Sequence, residues 1–431
     1  MKILLIATNQ AERYMDRMVV RPLPIGVAYL AAHVDERRHE LQVLDLMFSD
    51  DAVSEVGGAV EEFRPDLVGL SIRNLDNQSY LNPVSHLPGV REIVRQVRSV
   101  SDATIVCGGP AFSILPAYCL EYLEADLGIA GDGVESFTLL VDRLHERTDY
   151  TGIAGLVYRD GPEIVALPAA LSSDFRRRPR LDLLDLRRYD KAGFGVGVVT
   201  KLAGYYYPTQ DGRGAYGGEG SRVRPVEEIM EEISKLNAES GIRKLFFIDS
   251  GFNVPMDHAK GLCTSLIESG LNLRWSSYLR PGDCDEELTS LMKSSGCSLA
   301  LIAPREPDGR SDDLGSGPDS LRGLRELTDL CRSADLPFAL AMAFGTPGET
   351  EKTVGEKLDF LRQSRPQFAT LRLGTRVLPG SGVADLARGE GLISSDADLL
   401  MPTFYIEPSV RDWLADRVRR ATAEEPRWNP L

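Results

Sequence analysis

Three apolar runs in the first third of this 431-residue sequence end in residues suited to holding a phosphate or nucleotide-like group. One is followed by Gly108-Gly109-Pro110, a second by Gly131-Asp132-Gly133-Val134-Glu135, and a third runs into Ser71-Ile72-Arg73-Asn74-Leu75-Asp76. Glycine leaves backbone N–H groups without side-chain cover, which suits an anionic oxygen, and Arg73, Asn74 and Asp76 add polar groups at the same edge. A second polar set lies further on: Asp249, Asn253, Ser277, Tyr278, Arg280, Arg372 and Arg376 all stand at or just past the ends of apolar runs. Asp249 suits general-base work, or else a helix cap or an ion pair with Arg280. Tyr205, Tyr206 and Tyr207 either line a pocket for an apolar or cationic ligand or fill a loop. The catalytic candidates are Asp249, Arg280, Tyr278 and Tyr206.

Positioning these residues requires two series of strands. The first 150 residues alternate short apolar or β-branched runs with helical periods, the pattern of a parallel sheet covered on both faces. Strands are expected at Lys2–Ala7, Leu41–Leu46, Leu67–Ile72, Ala103–Cys107 and Leu127–Ala130, with a helix over Ile25–Val34. This is a doubly wound, Rossmann-like α/β domain, whose ligands bind beyond the carboxyl ends of the strands. Residues 151–194, including RRRPRLDLLDLRRYD, lack a sustained period and read as a surface linker. From 195 a second series begins, with strands at Gly195–Thr200, Leu245–Asp249, Leu273–Tyr278, Leu299–Ala303, Phe338–Phe344 and Ala369–Thr375. It predicts a partial (β/α)6 TIM-type barrel over 195–395, active at the carboxyl ends of its strands, with a tail over 396–431.

Composition narrows the partners. A net charge of −15 disfavours nucleic acid and anionic membranes, leaving a small molecule as the expected substrate. No apolar run approaches the roughly 18 residues of a membrane span, and the opening MKILLIATN turns polar too early for a signal peptide, so a cytoplasmic protein is expected. Cys107, Cys119, Cys263, Cys284, Cys297 and Cys331 are widely spaced, with no C-x-x-C pair, and most of them read as buried thiols. His86 and His258 each precede a glycine by three residues but lack an aspartate two residues before, and read as ordinary polar or surface histidines.

PLPIGVAYLAA, VLDL, PDLVGLSIRN, IVCGGP and GDGVE occur in the order and spacing of cobalamin-dependent radical SAM proteins, which the first domain resembles along its whole length. FFIDSGFN, WSSYLRP, DEELTSLMKSSGC, FGTPGET and RVLPGSGVADLARGEGLI resemble the radical SAM barrel over about 195–405. The resemblance implies a cobalamin across the first domain's strand ends. It assigns cofactor-binding positions to Arg73, Asn74, Asp76, Gly108, Gly109, Pro110, Gly131, Gly133 and Glu135, with Arg73 and Asn74 beside the lower face of the corrin. For the barrel it adds Gly345, Glu349 and Arg376, near S-adenosylmethionine.

Two departures stand out. That superfamily carries C-x-x-x-C-x-x-C after the first barrel strand, because three thiolates hold a four-iron cluster there. Here the stretch reads TKLAGYYYPTQDGRGAYGGEGSRVRP, with no cysteine, and no histidine occurs between 146 and 257. No iron–sulfur cluster is therefore expected. After the fourth strand, Ala303-Pro304-Arg305-Glu306-Pro307 replaces the family's glycine-and-acid turn, which leaves S-adenosylmethionine as an open second ligand. The resemblance thus implies polar methyl or alkyl transfer on a small molecule in specialised metabolism. Adenosylcobalamin-type radical rearrangement and a non-catalytic cobalamin carrier or sensor are the alternatives.

Overall fold

The computed structural model describes residues 1–9, 12–15, 18–169, 177–191, 193–202, 207–208, 214–215, 222–304 and 321–431. In the first half, β1 (Lys2–Ala7), β2 (Glu40–Asp45), β3 (Leu67–Ser71), β4 (Thr104–Gly108) and β5 (Leu127–Ile129) pair in parallel. β6 (Leu156–Asp160) and β7 (Glu163–Ala166) continue the sheet antiparallel, giving the order β2-β1-β3-β4-β5-β6-β7. β1 is apolar at nearly every position because both its faces are covered. Ile3, Leu5 and Ala7 pack with α1 (Ile25–His33) and α6 (Gly133–Glu146). Leu4 and Ile6 pack with α2 (Ala52–Phe63), α3 (Leu87–Val100), α4 (Pro110–Ile114) and α5 (Pro116–Leu123).

Residues 151–194 are more than the expected linker. Leu156 and Val157 are fully buried where β6 joins the sheet, while Arg159, Asp160 and Glu163 put charge on its outer end. Leu186 and Tyr189 of α7 (Leu186–Asp190) enter the barrel's core. The polar composition concealed this, because a terminal hairpin and a one-turn helix bury only one or two side chains each.

The second sheet is a seven-stranded parallel array in chain order: β8 (Val196–Val198), β9 (Lys244–Phe247), β10 (Arg274–Leu279), β11 (Cys297–Ile302), β12 (Phe338–Phe344), β13 (Ala369–Leu373) and β14 (Trp428–Pro430). One face, including Leu245, Phe247, Trp275, Leu279, Leu340, Met342 and Leu371, forms a single core. It packs under α8 (Val226–Ser240), α9 (Met256–Glu268), α10 (Glu286–Ser294), α11 (Leu321–Ser333), α12 (Glu351–Ser364) and α14 (Pro408–Glu424). Alternation puts Gly197, Phe246, Ser276, Tyr278, Ala341 and Arg372 on the opposite, luminal face. The expected tail is thus part of the barrel: α14 covers it and β14 adds a seventh strand beside β13. That strand is three residues long and contains a proline, tolerable only at a sheet edge, so no sequence period announced it. No described helix is long and apolar enough to cross a membrane.

The two halves are joined by an excursion between β13 and α14. Thr375–Arg376 pairs antiparallel with Phe404–Tyr405. Between them, Val377, Leu399 and residues of α13 (Gly382–Gly389) share one core with Leu4, Ile6 and Leu87 of the first domain. At its root, Arg376 Nε donates to Asp76 Oδ2 at 2.8 Å, with side chains only 11% and 3% exposed. The same guanidinium donates to the carbonyls of Val377 and Leu399 at 2.8 and 2.9 Å, and Asp76 Oδ1 accepts from Gln78 N at 2.8 Å. Asp76 and Arg376, both expected as cofactor ligands, are committed to each other instead. Removing one member strands a buried charge, so Arg376→Ala should cost about 3–5 kcal/mol in urea unfolding. Asp76→Asn combined with Arg376→Gln should cost clearly less than the sum of the single changes; strict additivity would contradict the pairing.

Candidate functional site

The order β2-β1-β3 makes the chain reverse its direction of winding between β1 and β3, the place where open α/β sheets bind ligands. A small open cleft lies there, lined by Thr8, Asn9, Ile72, Arg73, Asn74, His86 and Val90. Thr8 Oγ1 donates to the Ser71 carbonyl at 2.9 Å and ties the two strand ends together. Beyond Asn74 the chain folds back on itself. Asn77 N donates to the Val84 carbonyl at 3.0 Å, Asn77 Oδ1 accepts from Val84 N at 3.0 Å, and Asn77 Nδ2 donates to the Asn82 carbonyl at 2.8 Å. This fold-back returns His86 to the cleft at the N-cap of α3. The histidine read from sequence as merely polar is therefore part of the wall, and the Asn77/Asn82 pair was the signal for the fold-back. His258 has no such place; its Nε2 lies 2.8 Å from the Arg224 carbonyl.

The glycine loops meet at the same edge. Ile72 N donates to the Gly108 carbonyl at 2.8 Å, and Ala111 N, just past Pro110 at the start of α4, donates to the Ile72 carbonyl at 3.0 Å. Gly109 is held between them at φ +97, where a Cβ would sit 2.6 Å from Ile72 O, so only glycine permits this approach. Ser113 Oγ donates to the Gly109 carbonyl and accepts from Gly131 N, both at 2.9 Å. The Gly131 amide, expected to be bare, is spent on joining the two loops. Gly133 opens α6, and Glu135 is exposed on its first turn.

At the barrel mouth, Thr200 Oγ1 donates to Asp249 Oδ2 at 2.5 Å, and Oδ1 of the same carboxyl is buried without a hydrogen-bond partner. The expected Asp249–Arg280 ion pair does not form; Arg280 Nη2 donates to Ser250 Oγ at 3.0 Å. Asn253, fully buried, grips the Arg280 backbone twice, accepting from its N–H at 2.9 Å and donating to its carbonyl at 2.8 Å. A Cβ on Gly251 would meet the Arg280 stem at 2.7 Å, so this glycine makes room for the arginine. Tyr278 lies edge-on to Phe246, which stacks on Phe194, forming an aromatic wall.

Lys201, which sequence reasoning missed, is 7% exposed and donates to the carbonyls of Gly251 at 2.6 Å, Phe252 at 3.4 Å and Val254. Burial draws its ammonium below the ordinary 10.5, and burial pushes Asp249 above 3.8 against the opposing pull of Lys201. A lone lysine at the end of an apolar strand was the available signal. Gly345 and Glu349 do not face the lumen: the Glu349 carboxylate accepts from Gly345 N and Thr346 N and pairs with Lys357 at 2.6 Å, closing its own turn. Tyr206 lies outside the described residues. Cys263, Cys284 and Cys331 are pushed up to about 12 by burial, and none stands on the loop after β8.

A B12 binding domain family matches residues 18–141. An uncharacterized methyltransferase of Pyrococcus horikoshii is 24% identical over 401 residues, spanning 91% of this chain and 84% of its own. The tryptophan 2-C-methyltransferase of Streptomyces laurentii is 25% identical over 432 residues, spanning 84% and 71%. Among solved structures, the radical S-adenosylmethionine methyltransferase TsrM from Kitasatospora setae, with cobalamin and an iron–sulfur cluster bound, matches with a TM-score of 0.79 at 21% identity, over 99% of this chain and 90% of that one. The cobalamin-dependent S-adenosylmethionine radical enzyme OxsB matches with a TM-score of 0.73 at 13% identity, over 98% and 66%. This chain carries a B12-binding domain and has the fold of the cobalamin-dependent radical SAM proteins. The B12-binding domain suits its cofactor: the cleft lies at the switch point, and Gly108, Gly109 and Gly131 keep bulk away from the same edge.

Two outcomes follow. Gly109→Ala should lower stability by more than about 1 kcal/mol in chemical unfolding, because it combines positive φ with a backbone clash. For Asp249, the folded state keeps a proton that the unfolded state releases above 3.8, so the wild type loses stability as pH rises through that window and Asp249→Asn does not. Unfolding from about pH 3.5 to about pH 7.5 should show the variant's advantage absent in acid and growing toward neutrality. A pH-independent difference would contradict the buried carboxyl.

Proposed function

We propose that this protein binds cobalamin in its first domain and transfers a methyl group from S-adenosylmethionine to a small molecule in specialised metabolism without an iron–sulfur cluster. The observation that carries this reading is the pairing of an intact B12-binding edge with a barrel loop, Thr200–Pro225, that contains neither cysteine nor histidine. Bound cobalamin supplies a nucleophilic cobalt that takes up and passes on a methyl group, chemistry that needs no reductive cleavage of the sulfonium. Relatives named as methyltransferases, and the TsrM structure with tryptophan and a SAM analogue bound, support the reaction class and the small-molecule substrate.

In this reading Arg73 and Asn74, which line the cleft at the switch point, would help to hold the cofactor, and Arg73 would set a positive charge beside it. Phe194, Phe246 and Tyr278 form a wall that keeps water from the reacting groups. Asp249, its proton affinity raised by burial, accepts or holds a proton at its buried carboxyl oxygen. With cobalamin, a low-potential reductant and S-adenosylmethionine, the protein should produce S-adenosylhomocysteine and no 5′-deoxyadenosine. Liquid chromatography with mass detection decides it; 5′-deoxyadenosine formed in step with turnover would overturn the reading.

A further inference from the structure

One of the chain's five histidines is shut away at the amino ends of the first sheet, at the far end from the cleft. His39 immediately precedes β2, and its side chain is only 1% exposed where it packs on the last turn of α6. Its Nε2 lies 3.5 Å from Asp142 Oδ1, and the ring of the exposed His145 meets it edge-on at 5.1 Å between centroids. Nδ1 is buried without a hydrogen-bond partner. While the ring is neutral, with Nε2–H toward Asp142, Nδ1 is a bare lone pair and costs little. A second proton would turn it into a buried, charged N–H with no acceptor, which costs far more.

The carboxylates that could answer such a charge are already matched. On α6, Asp142 and Glu146 hold Arg38 at 2.6 and 2.8 Å. In the turn before β2, Asp35 holds Arg37 at 2.9 Å, and at the start of the sheet Glu40 holds Lys2 at 3.5 Å. The other groups at the corner, His145 and the Met1 ammonium that donates to the Arg38 carbonyl at 3.5 Å, offer no negative charge. Burial draws the His39 imidazole below its ordinary 6.5; the Asp142 hydrogen bond works against this, and Met1 and His145 reinforce it. We propose that this corner is an acid-sensitive latch: uptake of a proton by His39 expels its ring from the seat and frees the last turn of α6 from the start of β2. The neutral ring fits at pH values above 6.5, and its contribution to stability is lost as pH falls below that value toward the lowered one of the folded state. Because α6 begins at Gly133, in the second glycine loop, the latch fastens the far end of a helix whose first turn borders the ligand edge.

Nuclear magnetic resonance of the full chain labelled with 15N-histidine tests the first step. The His39 ring, assigned by its absence from the spectrum of His39→Gln or His39→Phe, should stay neutral at about pH 6.5, where a free imidazole is half protonated. Urea unfolding tests the linkage. Between about pH 7.5 and about pH 5.5 the folded-to-unfolded ratio of the wild type should fall by up to about tenfold more than that of His39→Gln, because the unfolded chain takes up a proton that the folded chain refuses. His145→Gln should keep the wild-type slope, since that ring is exposed. Hydrogen exchange tests the opening: after correction for intrinsic rates, amides 142–147 of the wild type should lose protection between about pH 7.5 and about pH 5.5, and those of His39→Gln should not. A His39 ring half protonated near pH 6.5 in the folded protein, parallel slopes in the wild type and His39→Gln, or unchanged protection at 142–147 would each overturn the latch. The resonance and exchange measurements on the wild type decide the matter even if a variant at position 39 folds poorly.

Discussion

The buried ion pair between Asp76 and Arg376 is the constraint on which the rest of the molecule depends. Asp76 belongs to the loop that forms the cleft wall of the first domain, and Arg376 follows the sixth barrel strand. Joining them turns the carboxyl ends of the first sheet toward the carboxyl ends of the second. Because charges buried this deeply are costly unless paired, neither domain can shift without exposing or stranding one of them. The apolar seam of Val377, α13 and Leu399 against Leu4, Ile6 and Leu87 supplies the area, while the ion pair fixes the register.

The barrel mouth follows the same logic. In the described part of the loop after β8, Lys201 pairs with Val223 across its base, and its ammonium caps the carbonyls that follow β9. On the return strand, Arg224 N donates to the Thr200 carbonyl at 2.9 Å, and its guanidinium reaches the Val199 carbonyl at 2.7 Å and Glu232 at 2.8 Å. Two buried cations thus hold both roots of the loop by hydrogen bonding to main-chain carbonyls. Lys201 also puts positive potential beside Asp249, whose desolvation works against its ionisation. The segment Asp249 to Asn253 holds the buried carboxyl and receives hydrogen bonds from the Arg280 guanidinium at Ser250 and from the Lys201 ammonium at Gly251 and Phe252.

The architecture was legible because it rests on local periodicity. Lys2–Ala7 and Phe338–Phe344 were found at their full lengths, and the other expected strands differ by one or two residues at an end. What escaped is non-local or too short to have a period. The partner of Arg376 lies 300 residues away, so a residue at a strand end looked like a ligand when it was a tie between domains. The resemblance alone put Glu349 near S-adenosylmethionine; its carboxylate holds its own turn, the backbone role that Gly345-Thr346-Pro347-Gly348-Glu349 suggests by itself. Lys201 was overlooked because one lysine at the end of an apolar strand is a slight signal, and the carbonyls that converge on it are distant in the sequence. The glycine loops were located correctly, whereas the Gly131 amide was already taken by a serine eighteen residues upstream in the chain.

This protein keeps a B12-binding edge while its barrel loop, Thr200–Pro225, offers no thiolate. The most direct measurement is elemental: anaerobic reconstitution with iron, sulfide, reductant and hydroxocobalamin, removal of unbound material, then quantification of cobalt, iron and acid-labile sulfide per chain. The account predicts stoichiometric cobalt with iron and sulfide at background. Stoichiometric iron and sulfide in the reconstituted protein, or failure to retain cobalt, would contradict it.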